Sequence, residues 1–320
     1  MKNWLLVAGM LMVIFSCRQN DSKVPVIGFV DAFQDNTIEK AKDGFMDALQ
    51  AEGFDEKKGT VRIIYRNAQG NIPTLTQIVK YYLAQPVTML ATNPSLATIT
   101  AVQNTKDIPI FMMVSPTPQL MKVTDSSEKA PMNLFGAAEN LDYIDTSFLL
   151  IPRLISPRSK QIRVGVIFNQ SEPQSVLSME RMRKLADASK IELVSLPVNS
   201  SADVQLVTAS LLSRDIDVFF ANPDNIVFAS FETIVQSCNK KNIPIMTSEA
   251  GLVERGALAA YGADIYQWGF QAGLQAARFL KTKSTTGLHW DMVKTRKRVF
   301  NPQVAKKFGI SIPPNFQPIQ

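Results

Sequence analysis

Val164-Gly165-Val166-Ile167-Phe168-Asn169-Gln170-Ser171-Glu172-Pro173 is the stretch from which the fold can be read. Its apolar run reads as a strand buried on both faces, the pattern of a parallel strand covered by helices. The run stops at Asn169, and Ser171 with Gln174 three residues on has the capping-box spacing that opens a helix. A buried strand feeding a helix N-terminus leaves polar side chains and free N–H groups at the carboxyl edge of a sheet, where open α/β sheets bind ligands. The same design recurs at Asp217-Val218-Phe219-Phe220-Ala221-Asn222-Pro223-Asp224-Asn225.

Upstream, Val26 to Val30 reads as a first strand. Ile38, Ala41, Phe45, Ala48 and Leu49 stand at helical spacing over 37–52, with Gly53 as the closing residue. Strand 61–65, helix 72–84, strand 87–91, helix 94–105 and strand 108–114 follow. Strict alternation predicts a parallel sheet with helices on both faces. It breaks over 115–131; then 135–138 reads as a strand and 143–155 as a helix. A second series follows: strand 163–168, helix 174–188, strand 191–196, helix 202–213, strand 217–220, helix 226–239 and strand 243–247. Val176, Met179, Met182 and Leu185 form an apolar stripe for core packing. A helix over 265–280 carries Gly269, Ala272, Gly273, Ala276 and Ala277 on close-packing faces, and a strand near Val299 and a helix from Pro302 to Lys307 finish the chain. Two series joined without a long linker predict two lobes.

Length and composition agree, since 320 residues suffice for about two domains at roughly 100–200 residues each. The chain is 46% hydrophobic and 19% charged, so a sizeable core is available. The net charge of +6 is scattered, and Lys294-Thr295-Arg296-Lys297-Arg298 reads as a solvated edge. No nucleic-acid partner is expected. At the N-terminus, Lys2 precedes an apolar run from Trp4 to Phe15 that is too short for a permanent span. It ends at Ile14-Phe15-Ser16-Cys17, which resembles a bacterial lipobox; an uncleaved anchor helix is the alternative. The reading is a lipoprotein signal peptide over 1–16, a lipidated Cys17 and a polar tether over 17–23, hence a membrane-anchored protein of the cell envelope outside the cytoplasm. Cys238 is then alone, so no internal disulfide forms and a buried thiol is expected.

Catalytic signatures are missing. There is no Walker loop, no Gly-x-Ser-x-Gly elbow and no Gly-x-Gly-x-x-Gly after a strand. His289 is the one histidine, which argues against a Ser-His-Asp or Cys-His device and removes the commonest metal ligand. Asp215 and Asp217 flank a strand and read as solvated or turn-forming. Binding without catalysis is expected, with no cofactor and no metal.

Several segments carry a family resemblance: Phe168 to Pro173, Asn222-Pro223-Asp224-Asn225, Ser248-Glu249, Val253 to Gly262, Asn301 to Ile310, and Tyr65 to Asn71. The chain resembles the ABC-transporter substrate-binding proteins typified by tryptophan- and tyrosine-binding lipoproteins. The resemblance implies an α/β fold of the type I periplasmic-binding-protein kind, two Rossmann-like lobes with parallel sheets joined by a multi-strand hinge. It places lobe one at 24–138 plus 263–284 and lobe two at 139–262 plus 285–320. It implies a monomer that captures an amino-acid-like small molecule between the lobes and delivers it to an ABC permease. A receptor lipoprotein read by a membrane signalling partner is the alternative. In such proteins the first loop usually carries Gln and a Glu-His-Pro run, whereas here it is Asp31-Ala32-Phe33-Gln34-Asp35-Asn36. The loops Thr92-Asn93-Pro94-Ser95 and Val114 to Pro118 also depart from the family pattern, implying altered specificity.

The candidate ligand-binding residues follow from strand ends and from this resemblance. Helix N-termini after Asn93, Asn169 and Asn222, with the Ser95, Ser115 and Ser171 hydroxyls, are suited to a carboxylate or carbonyl group. Asp224 is suited to an ammonium, or to capping the helix that follows. Phe33 and Phe168 are candidates for the apolar part of the ligand, with Thr92, Ser248, Glu249 and Tyr261 completing the set.

Overall fold

The structure, a computed structural model, describes residues 24–319. The expected signal peptide, Cys17 and tether lie outside the described residues. The chain runs β1 (Val26–Asp31), α1 (Asn36–Ala51), β2 (Arg62–Asn67), α2 (Ile72–Leu83), β3 (Met89–Asn93), α3 (Ser95–Asn104), β4 (Ile110–Pro116) and β5 (Leu134–Glu139). It continues through α4 (Asp142–Leu149), α5 (Ile151–Leu154), β6 (Ile162–Phe168), α6 (Pro173–Ser189), β7 (Ile191–Pro197), α7 (Val204–Leu212), β8 (Val218–Ala221), α8 (Asn225–Ala229) and α9 (Phe231–Lys240). Last come β9 (Ile245–Glu249), α10 (Ala250–Glu254), β10 (Ala259–Ala263), α11 (Ile265–Thr282), β11 (Trp290–Met292), β12 (Arg296–Phe300), α12 (Pro302–Phe308) and β13 (Gln317–Pro318).

These strands make two sheets, ordered β11-β5-β4-β3-β1-β2 and β13-β12-β10-β9-β8-β6-β7. Every pairing is parallel except that of β10 with β12. All residues of β3, β4, β5, β8 and β9 are buried, whereas the edge strands β2 and β7 are largely half-exposed. Helices cover both faces, because a continuous apolar run cannot leave a face in water. The fold is the two-lobed α/β architecture expected.

The chain passes between the sheets three times, at β5 to α4, β10 to α11 and β11 to β12. Around these crossings Arg296 of β12 donates to the Glu139 carboxylate at the end of β5 (2.7 Å), and Ser147 of α4 donates to the Tyr261 carbonyl (2.7 Å).

Several sequence-based expectations need correction. Trp290–Met292 pairs with β5, so this part of 285–320 belongs to the first sheet. The segment 259–263 is a strand that local pattern does not predict, because Ala-Ala-Tyr-Gly-Ala has little β-propensity. It forms because Gly262 lets the backbone approach β9: a Cβ there would lie 1.6 Å from the Ser248 carbonyl oxygen. The helix expected over 143–155 is two helices, α4 and α5, and that over 226–239 breaks at Ser230 into α8 and α9. The Ser171 capping box does not form. The N-cap of α6 is Glu172, Pro173 opens the helix, and the Ser171 N–H donates to Asn169 Oδ1 instead. Asp217 is buried rather than solvated, its carboxylate accepting from the Arg158 and Arg163 backbone N–H groups.

Candidate functional site

The carboxyl ends of β1, β2 and β3 face those of β6, β7 and β8 across a cavity of about 620 Å³. The first-lobe wall consists of Phe33 and Gln34 after β1, Gln69 and Gly70 after β2, Ile72 at the start of α2, and Leu96 in the first turn of α3. The facing wall consists of Asn169, Ser171 and Glu172 after β6, Asn199, Ser200 and Ser201 after β7, and Ile226 and Ala229 of α8. The lining is amide, hydroxyl and apolar, and its only acidic residue is Glu172. An apolar pocket with a few convergent polar groups is the usual form of a small-molecule site.

Local hydrogen bonds hold these groups in place. The Phe33 carbonyl accepts from Asn67 Nδ2 (2.9 Å) and the Ala32 carbonyl from Gly70 N–H (2.8 Å), tying the first loop to the turn after β2. Gly70 is left-handed at φ +78°, and a Cβ there would sit 3.2 Å from the Phe33 ring, so glycine serves both the turn and the ring. On the other wall the Asn169 backbone N–H donates to Asp224 Oδ2 (2.6 Å), and Asn169 Oδ1 accepts from Ser171 N–H (2.9 Å). Glu172 turns its carboxyl inward, where Asn225 donates to both oxygens through Nδ2 (2.7 Å) and its backbone N–H (3.1 Å). Burial, reinforced by the neighbouring Asp224 charge, drives the Glu172 pKa upward.

Of the twelve candidates, the structure brings Phe33, Asn169 and Ser171 to the cavity. The other nine do not line it. Thr92 and Ser115 belong to a buried hydroxyl chain, Thr92 Oγ1 to Thr98 Oγ1 (2.9 Å) to Ser115 Oγ (3.0 Å), that ties β3, α3 and β4 together. Ser95 is buried at the start of α3, and Asn93 donates to the Ile38 carbonyl (3.3 Å) while its Oδ1 lacks a partner. Phe168 packs in the core, with the Arg183 guanidinium 5.8 Å from its ring centroid.

Asp224 is committed on both oxygens. Oδ1 caps α8 through the Ile226 (2.8 Å) and Val227 (3.2 Å) N–H groups, and Oδ2 accepts from Ser175 Oγ (2.5 Å) and Asn169 N–H. Burial raises its pKa and these hydrogen bonds oppose the rise. Ser248 and Glu249 are buried at the end of β9, with Ser248 Oγ and Glu249 Oε2 unpartnered; burial pushes the Glu249 carboxyl up to about 8. Tyr261 lies at the crossings, with the Arg298 guanidinium 4.2 Å from its ring centroid.

Gln34, Gln69, Leu96, Glu172, the Asn199–Ser201 turn and Ile226 were missed as site residues. Their signal was position: each lies just past the carboxyl end of a strand, and the rule that singled out Asn169 applies equally after β7. Cys238 is a buried free thiol whose pKa burial pushes up to about 12, as expected of an inert core residue. His289 is largely exposed beside Asp291. Among the described residues no three His, Cys, Asp or Glu side chains are grouped to hold a metal ion, and no helix is long and apolar enough to cross a membrane.

Two α/β lobes with a ligand-sized cleft between their sheets define a type I periplasmic binding protein. The model of the ABC transporter substrate binding protein family matches residues 23–317, and the chain belongs to that family. It is 30% identical over 295 residues to a tyrosine-binding protein of Clostridioides difficile (strain R20291), covering 88% of this chain and 84% of that protein. A conserved domain protein from Vibrio cholerae superposes with a TM-score of 0.82 at 26% identity, covering 92% of this chain and 99% of the other. An ABC domain from Streptococcus pneumonia in complex with L-Trp superposes with a TM-score of 0.81 at 21% identity over the same shares. The family consists of extracytoplasmic binding proteins, not enzymes.

Proposed function

We propose that this chain is a lipid-anchored solute receptor that captures an amino-acid-like molecule between its lobes and delivers it to an ABC permease. The observation that carries the reading is the cleft itself, a cavity of about 620 Å³ at the carboxyl edges of both sheets. Hydrogen bonds with Asp224, Asn225 and Asn67 fix Asn169, Glu172 and Phe33 in its walls. Phe33, Ile72, Leu96 and Ile226 take the apolar part of the solute, while Gln34, Gln69, Asn169, Ser171 and the Asn199–Ser201 turn take its polar groups. The likeness to a tyrosine-binding protein supports an amino-acid-like ligand.

The lobes are 24–139 with 265–292, and 142–263 with 296–319, the intervening residues forming the hinge. Cys17 carries the anchor, and the receptor works as a monomer. Thermal denaturation of the purified protein with L-tyrosine, L-tryptophan, L-phenylalanine, small amines, purines and short peptides tests the binding role. A ligand at 100 times its dissociation constant adds about 2.7 kcal/mol of stability. A shift with an amino acid supports the reading, and a panel without any shift rejects it. Cys17→Ser should leave an unlipidated precursor by mass spectrometry, and normal lipidation of that variant rejects the anchor.

A further inference from the structure

Outside the cavity, Arg255 joins its two walls. Arg255 follows α10 in the second lobe, and all five guanidinium N–H donors are used. Nε donates to Glu232 Oε1 (2.8 Å), while Nη2 donates to Glu232 Oε2 (2.9 Å) and the Phe228 carbonyl (2.9 Å), all within the second lobe. Nη1 crosses to the first lobe and donates to Asp35 Oδ2 (2.7 Å) and Thr37 Oγ1 (2.9 Å). The Asp35 side chain is 1% exposed and that of Arg255 15%, so the pair is largely removed from water. The Phe231 ring lies 5.4 Å from the guanidinium.

Both ends of this bridge are one or two residues from the solute cavity. Asp35 directly follows Phe33 and Gln34, and its other oxygen caps α1 through the Thr37 and Ile38 N–H groups. Phe228 lies between Ile226 and Ala229 on the facing wall. The surroundings fit tightly as well: a Cβ on Gly251 would meet Thr37 Cγ2 at 2.4 Å, and Lys40 pairs with Glu254 nearby.

We propose that Arg255 is a positioning residue for solute binding, an interlobe bridge that sets how long the cleft stays closed. This rests on the solute-receptor reading and adds its control. Separating the lobes would break the two contacts to Asp35 and Thr37 and leave the Asp35 carboxylate without its cation, while Glu232 keeps the guanidinium fixed to the second lobe. A receptor whose binding-competent state is only partly populated loses apparent affinity in proportion.

Asp35→Asn tests this directly, since asparagine also caps a helix and leaves α1 intact while removing the charge that faces Arg255. Two readouts are used: small-angle scattering of the ligand-free protein, and the dissociation rate of L-tyrosine as probe. The expected result is a larger radius of gyration and dissociation faster by about tenfold to a hundredfold, less than the full loss of a buried charge pair because asparagine keeps a hydrogen-bond acceptor facing Arg255. Arg255→Gln should behave alike, and the double variant should add little to either single one. A radius of gyration and dissociation rate equal to wild type in Asp35→Asn would overturn the bridge. Failure of L-tyrosine to bind the wild type would count against the amino-acid reading alone, and scattering would then decide the bridge by itself.

Discussion

Asp224, suited by its strand-end position to a ligand's ammonium or to capping the helix that follows, is that helix's N-cap. Its oxygens cap α8 and hold the β6–α6 turn, so it shapes the cavity wall from behind the lining residues. Asp224→Ala should therefore lower stability by about 2–4 kcal/mol in denaturant unfolding, from the lost cap and the stranded buried donors. A variant as stable as the parent would return Asp224 to ligand contact. Glu249 and Asp31 make the opposite case, buried carboxyls pushed up to about 8 and about 7 by desolvation. Their folded pKa values exceed the unfolded ones, so between roughly pH 4.5 and 8 the native state holds protons that the unfolded state has released. Stability should thus fall as pH rises through that window and level off above it. Glu249→Gln should flatten the upper part of the slope; parallel wild-type and variant curves of stability against pH would refute the assignment.

Among the elements, helices α1 and α11 approach each other backbone to backbone. A Cβ on Gly269 would lie 1.8 Å from the Ala41 carbonyl oxygen, and one on Gly44 2.1 Å from that of Tyr266. The small residues read from the sequence thus mark backbone contact between helices more than two hundred residues apart. Gly269→Ala must push α11 away from α1, at a cost of about 1–3 kcal/mol for overpacking. Thermal denaturation checks this, and an unchanged melting temperature would mean that the helices yield freely. The strands and most helices were legible because burial on both faces imposes continuous apolar runs. Strand β10 was not, because its residues are chosen by the close approach of Ser248, which no local pattern reveals.

For the whole molecule, the three crossings make each lobe discontinuous in sequence. One apolar cluster runs from Ile27, Phe29 and Phe45 in the first lobe through Tyr143, Ile144 and Phe148 to Val164, Phe220 and Met246 in the second. Lobes sharing a core in this way should unfold together. Calorimetry of the ligand-free protein should show one transition whose van't Hoff and calorimetric enthalpies agree; two resolved transitions would mean that the lobes are energetically independent.

The linear order of apolar runs and polar strand ends was enough to determine two α/β lobes and a ligand edge, because hydrophobic periodicity and helix starts are local properties of the chain. Which polar residues line the cavity was decided only by tertiary structure. Thr92, Ser115, Asp224 and Glu249 lie at the right strand ends but turn into the protein, while Gln34, Gln69 and Asn199 line the cavity. A strand end supplies polar groups, and packing of the neighbouring helix selects which of them remain open to the cleft.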